Sequence, residues 1–145
     1  YNGRLDSIQA SVLNLKLKRL REWNGMRQSL ASRYNQMLSG VPSVITPVAP
    51  SWSSPVYHLY VIRVSQRDML QGFLSEGGID TGLHYPVPLH QQKAYRNLGY
   101  RSGSFPVSEQ LSKEILSLPM FPSLSSQQQE RVVDRIRLFC ERYLP

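Results

Sequence analysis

LDSIQASVLNLKLKRLREWNGMRQSLASRYNQML, residues 5–38, is the stretch whose reading decides the fold. Ile8, Val12 and Leu15 recur at helical spacing, with Leu13, Leu17 and Leu20 beside them. Trp23, Met26, Leu30, Tyr34 and Met37 carry the period onward. Asp6 followed by Gln9 resembles a capping box, and Gly40 with Pro42 stops the run. The spacing predicts one long helix or two consecutive ones, with Asn24-Gly25 as the place for a bend or joint. Apolar residues spread this broadly call for packing on more than one side.

Beyond Gly40 the period changes. Residues 41–55 hold Pro42, Pro47, Pro50 and Pro55 among four serines, which reads as a loop or extended crossing. YHLYVIRV, 57–64, is aromatic and β-branched and predicts a strand. A short helix capped within Ser65 to Asp68 follows, with Met69, Leu70, Phe73 and Leu74 apolar, ended by Gly77-Gly78. A second strand is predicted over 79–85, stopped by Pro86. Residues 87–106 look irregular. Pro106 opens a helix through Leu116 with Leu111 and Ile115 inward. LSLPMF, 116–121, predicts a third short strand. Ser125 or Ser126 caps a last helix to about Tyr143, with Val132, Ile136, Phe139 and Tyr143 on one face. The sum is an α+β fold, a small three-stranded sheet with flanking helices behind a long N-terminal helix.

Composition narrows the function classes. The 145 residues suit one domain, and 41% apolar with 19% charged residues is a globular balance. No run of apolar residues is long enough for a membrane span, and no signal peptide is recognisable. The chain opens on Tyr1 rather than Met, close to a helical pattern, which suggests a processed or truncated product. Cys140 is the lone cysteine, lies in an apolar stripe and reads as packing. The net charge of +7 invites a nucleic-acid reading, but residues 1–40 carry +5 of it, from seven Lys/Arg against Asp6 and Glu22. Thirteen Arg against four Lys favour fixed ion pairs and phosphate or carboxylate contacts. No zinc-finger, RNP-type or helix-turn-helix pattern supports nucleic-acid binding.

Two stretches hold candidate site residues. TGLHYPVPLH, 81–90, places His84 and His90 six apart with prolines between. A helical metal pair would stand four apart, so no metal site is expected. His58, in the strand, is expected to be half-buried and hydrogen-bonded. Two readings of the turn stay open: a structural turn with satisfied histidines, or a wall that projects His84, Tyr85 and His90 toward a cleft. YNGRLDSIQ, 1–9, is likewise open. It is an ordinary helix start with Arg4 ion-paired and Asp6 as cap, or an anion site built from helix N–H groups and Arg4.

Several motifs in order resemble one family. Residues 1–38 are similar to the segment opening the small domain of the DegT/StrS sugar aminotransferases, with its pattern G-Y-N-x-R-L-D-x-I-Q-A-A and later W-N-x-x-R-x-x-x-A-x-x-Y. PVYHLYVIRV, RDMLQGFLSEGGIDTGLHYPVPLHQQKAY and GYRSGSFPVSEQLSKEILSLPMFPSLS continue the match in sequence. The resemblance implies the small C-terminal domain of a fold-type-I, pyridoxal 5′-phosphate (PLP)-dependent transferase over 1–145. Residues 1–40 would lead from a large domain and 41–145 form the α+β portion. It implies a homodimeric, cytoplasmic enzyme that aminates a keto nucleotide-sugar, with glutamate as donor.

By the same resemblance, Asn2 and Arg4 reach the partner subunit's PLP phosphate or the donor carboxylate, and His84, Tyr85 and His90 line the substrate side. Ser11 departs from the usual alanine. The cofactor lysine of the family belongs to the large domain. Lys16, Lys18, Lys93 and Lys113 match non-catalytic parts, so the chain alone is expected to be inactive. A rival implied by the same resemblance is a non-catalytic regulator or sensor that binds cofactor or sugar nucleotide.

Overall fold

The computed structural model describes residues 3–144. Its elements, in order, are α1 (Ser7–Leu17), α2 (Leu20–Leu38), β1 (Tyr60–Arg63), α3 (Arg67–Glu76), two 3-10 turns (Leu89–Gln91 and Lys93–Leu98), α4 (Pro106–Glu114), β2 (Ile115–Leu118) and α5 (Ser126–Tyr143). The α+β expectation is met, with a difference in the sheet. β1 and β2 form an antiparallel two-stranded ribbon, Tyr60 opposite Leu118 and Arg63 opposite Ile115. The third strand predicted over 79–85 is reduced to a single bridge, Gly82 to Ser117. On the opposite edge Ile45 bridges Arg63 in the same way. A glycine with Pro86 four residues on can sustain one pair of backbone bonds and no ladder.

The N-terminal rod is two helices, and the joint is not at Asn24-Gly25. It falls at Lys18 and Arg19, where Arg19 N–H donates to Lys16 O, three residues back rather than four. Arg19 itself sits at φ −103°, ψ −5°. Gly25 stays helical, with nothing within 4 Å of the place its side chain would occupy. Asp6 caps α1 through Oδ1, which accepts from Ile8 N (2.8 Å) and Gln9 N (3.2 Å). At α5 a full capping box forms between Ser125 and Gln128. At α3 no side chain caps the start; Gln66 occupies the cap position and Asp68 lies in the first turn.

The core is one cluster built from α2, the ribbon, α3 and α5. Ala31, Tyr34 and Leu38 contribute from α2, Tyr60 and Ile62 from β1, Leu70 and Leu74 from α3, and Val133, Ile136 and Phe139 from α5. Tyr34 and Tyr60 stack with ring centroids 4.8 Å apart. Burial pushes both phenols up in pKa. The Tyr34 hydroxyl donates to Pro119 O at 3.1 Å, so its polar end is satisfied. Cys140 is buried in this cluster, and burial pushes its thiol up, as packing implies.

Helix ends explain much of the arginine. Arg135 and Arg131 of α5 donate to Phe73 O (2.9 Å) and Gly77 O (2.6 Å) at the end of α3. Arg137 donates to Met37 O (2.7 Å) at the end of α2. Buried Arg67 donates to Ser112 O (3.2 Å) and Ile115 O (3.0 Å) at the end of α4. A forked cation suits the uncapped carbonyls and the negative end of a helix dipole. The arginine bias therefore serves carbonyl capping as well as ion pairs such as Arg63–Glu114 and Arg33–Glu130.

α1 contributes no buried residue. Leu5, Ile8, Val12, Leu13, Leu15 and Leu17 are all exposed, Ile8 at 77%. Isolated leucines on a surface are ordinary, whereas a contiguous helix of them is an uncovered contact surface.

Candidate functional site

The residues singled out in the sequence fall into three places. Asn2 lies outside the described residues. Arg4 is exposed just before α1 and has no ion-pair partner among the described residues. Because Asp6 already occupies the N–H groups of Ile8 and Gln9, the helix start offers an anion little beyond the Arg4 guanidinium.

His84 is exposed beside the ribbon, and its position is specified closely. Nδ1 lies 2.9 Å from Ser117 Oγ on β2. Its ring lies over Gly82, where a Cβ would come within 2.6 Å of Cε1. Only glycine leaves room for the imidazole there, while the Gly82–Ser117 bridge fixes the backbone beneath it. His84 lines a small cleft of about 200 Å³ with His58, Asp80, Thr81 and Ser117.

Tyr85 and His90 face a different cleft of about 610 Å³, walled by Leu89, Tyr95, Tyr100 and Phe105 over α4. Tyr85 is 72% exposed. The His90 side chain is 7% exposed and donates from Nε2 to Glu109 Oε1 at 2.9 Å. Glu109 is the hub of this loop. It accepts from Gly103 N (2.8 Å and 2.9 Å to its two oxygens), Phe105 N (3.3 Å) and Ser102 Oγ (3.2 Å). The Gly103 amide foremost, helped by the His90, Phe105 and Ser102 bonds and opposed by partial burial, holds its carboxyl down to about 2. Within the turn, His90 is held against Glu109, whereas His84 and Tyr85 are exposed.

Sequence reasoning missed Glu109, Arg27 and the part played by His58. The His58 side chain is exposed and lines the His84 cleft, not half-buried in a strand, because β1 begins only at Tyr60. Arg27 sends Nη1 to three carbonyls, Tyr57 O (3.3 Å), His58 O (3.3 Å) and Met120 O (2.8 Å). A third cleft, about 800 Å³, runs from Arg19 and Trp23 past Arg27 to His58 and Pro122.

PLP chemistry needs a lysine amine beside the cofactor. Lys16, Lys18, Lys93 and Lys113 are all exposed, and none lines any of these three clefts. The described residues thus do not enclose PLP by themselves. Among the described residues, no group of three or more His, Cys, Asp or Glu is placed to hold a metal ion, and no helix is long and apolar enough to cross a membrane.

Known proteins give the site its context. The chain is 43% identical over 136 residues to the erythromycin biosynthesis sensory transduction protein EryC1 of Saccharopolyspora erythraea, covering 94% of this chain and 37% of that protein. It is 43% identical over 141 residues to the dTDP-3-amino-3,4,6-trideoxy-alpha-D-glucose transaminase of Streptomyces venezuelae, covering 97% of this chain and 37% of that one. Its fold superposes on the crystal structure of S. venezuelae DesV in complex with a ketimine intermediate with a TM-score of 0.93 at 42% identity, over 96% of this chain and 38% of that one. The chain therefore spans well under half the length of the relatives it matches. With residues 1–137 also matching the family description, the chain belongs to the DegT/DnrJ/EryC1/StrS aminotransferase family.

Proposed function

We propose that this chain is the C-terminal small domain of a PLP-dependent enzyme that converts a keto group on a nucleotide-linked sugar to an amine. The observation that carries this is the 43% identity, along 97% of the chain, with a protein named as a dTDP-sugar transaminase. The amino donor is L-glutamate, and the intact enzyme is a cytoplasmic homodimer. Residues 1–40 join this domain to the remainder of the enzyme, and 41–145 form its α+β portion. The exposed apolar surface of α1 supports a larger assembly around it.

PLP, when bound, supplies the electron sink that makes amino transfer possible. This chain's residues bind and orient. Arg4, and by the family resemblance Asn2, which lies outside the described residues, reach the partner subunit's PLP phosphate or the donor carboxylate, each of which matches a forked guanidinium. His84, anchored on Ser117, presents its ring to the sugar. Tyr85 adds an exposed aromatic edge, and His90, latched to Glu109, keeps the loop behind it in place.

The full-length protein is expected to show PLP absorbance that responds to L-glutamate, and to release an aminated nucleotide-sugar from a keto dTDP- or UDP-hexose. Absence of both in well-folded protein would refute the reading. Arg4→Ala should weaken PLP retention or raise the KM for glutamate, and His84→Ala the KM for the sugar. The 145-residue chain supplied with PLP and both substrates should form no product; turnover by it would overturn the argument from its lysines.

A further inference from the structure

The backbone at Tyr57 is left-handed, φ 49°, in a bulky residue that is not glycine. Such a conformation is strained in a residue that carries a Cβ, and it persists where the surroundings over-determine it. The Arg27 guanidinium does so here. By donating to the carbonyls of Tyr57, His58 and Met120, it ties the entry of β1 to the exit of β2 across the open end of the ribbon. The consequence falls on the next side chain, His58. It is kept out of the core and lines both the small cleft of His84 and the larger recess of Trp23 and Arg19.

We propose that His58 is a second sugar-contacting histidine in the cleft of His84, and that Arg27 is the positioning residue that keeps it there. This rests on the reading of the chain as part of a nucleotide-sugar aminotransferase. The small cleft, about 200 Å³, is lined by His58, His84, Asp80 and Thr81, residues that carry imidazole, carboxylate and hydroxyl groups. These are paired donors and acceptors of the kind that bind the hydroxyl and oxo groups of a hexose. The three ionisable groups do not come together as a metal-ligand set. The adjoining 800 Å³ recess, walled by Trp23 and Met26, offers an apolar surface for the rest of the ligand.

The test uses the full-length enzyme, with dTDP-glucose and UDP-glucose as calorimetric probes and the KM for glutamate as the internal reference. His58→Ala removes an exposed side chain and should leave folding intact. It is expected to weaken binding of the better probe roughly 3- to 10-fold, the loss of one ligand hydrogen bond, with the KM for glutamate within twofold of wild type. Arg27→Lys, which replaces the fork with a point charge, should weaken the same probe and be less than additive with His58→Ala. Unchanged probe affinity in His58→Ala overturns the proposal, as does failure of the wild-type enzyme to bind either probe saturably. Additive losses in the double variant overturn the role of Arg27; should Arg27→Lys fail to fold, His58→Ala decides alone. If glutamate leaves the cofactor spectrum unchanged while probe binding still depends on His58, the enzyme reading fails and the histidine's role stands.

Discussion

Replacing Gln129 by methionine should stabilise the protein. Gln129 lies in the first turns of α5, fully buried, with Nε2 donating to Leu30 O of α2 at 2.7 Å. Its Oε1 is buried with no partner. The methionine keeps the length and approximate volume and removes both polar atoms. Loss of the amide bond costs about 1 kcal/mol net. Leu30 O, interior to α2, remains in line for the helical N–H of Tyr34, so no new orphan is created. Removal of the unpaired Oε1 returns about 1–3 kcal/mol, and the thioether adds a small burial gain. The balance favours Gln129→Met by about 1 kcal/mol. With a urea slope of about 1–3 kcal/mol/M, the unfolding midpoint should rise by about 0.3–1 M at unchanged slope. Gln129→Ala removes the same polar atoms but opens a cavity, and should lose about 2 kcal/mol. A midpoint for Gln129→Met below wild type would refute the reasoning, since it would mean that Oε1 is satisfied and the amide outweighs an apolar filling.

Arg67→Met should cost about 3 kcal/mol and lower Tm by roughly 10 °C, because two carbonyls at the end of α4 lose a charged donor; a shift under about 3 °C would show that they are satisfied without it. Glu109 has a folded pKa near 2, below the ordinary 4.5, so its contribution to loop order is complete above about pH 4.5 and is lost as pH falls toward 2. The Gly103 amide resonance should therefore titrate near pH 2 and not near 4.5, and should be flat in this range in Glu109→Gln. Ile8→Lys with Leu15→Lys should reduce self-association of the 145-residue chain in sedimentation, because α1 is uncovered in it; identical sedimentation of the variant and the parent would mean that the stripe does not drive contacts.

What could be read in advance was local. Helical spacing found α2, α3, α4 and α5, because each shows its neighbours one apolar face that a single sequence records. The joint in the rod was misplaced because Asn24-Gly25 is the weaker helix former, whereas the ladder slips at Lys18–Arg19. The strand predicted over 79–85 shrank to one bridge because Pro86 ends pairing soon after Gly82, although the β2 edge is there to pair with, and the room Gly82 leaves is taken by the His84 ring. The site was legible only as residue types. His84 meets Ser117 across 33 positions, His90 meets Glu109 across 19, and Arg27 reaches Met120 across 93. No spacing rule reports contacts of that range. Family likeness pointed to the turn holding His84, but it took the geometry to separate His84 from His90 and to bring in His58.

A two-stranded ribbon has two open edges, each a template onto which another chain could add. Here each edge is stoppered at one residue. Ile45 exchanges both backbone bonds with Arg63, and Gly82 does so with Ser117, and Pro47 and Pro86 stand close beyond to deny either segment a longer ladder. On the Gly82 side the stopper and the histidine share one piece of backbone. A substitution that lengthened this edge into a true strand, by giving residue 82 a side chain, would have to evict the His84 imidazole. Resistance to strand addition and the placement of His84 thus depend on the same glycine, and a side chain at residue 82 would disturb both.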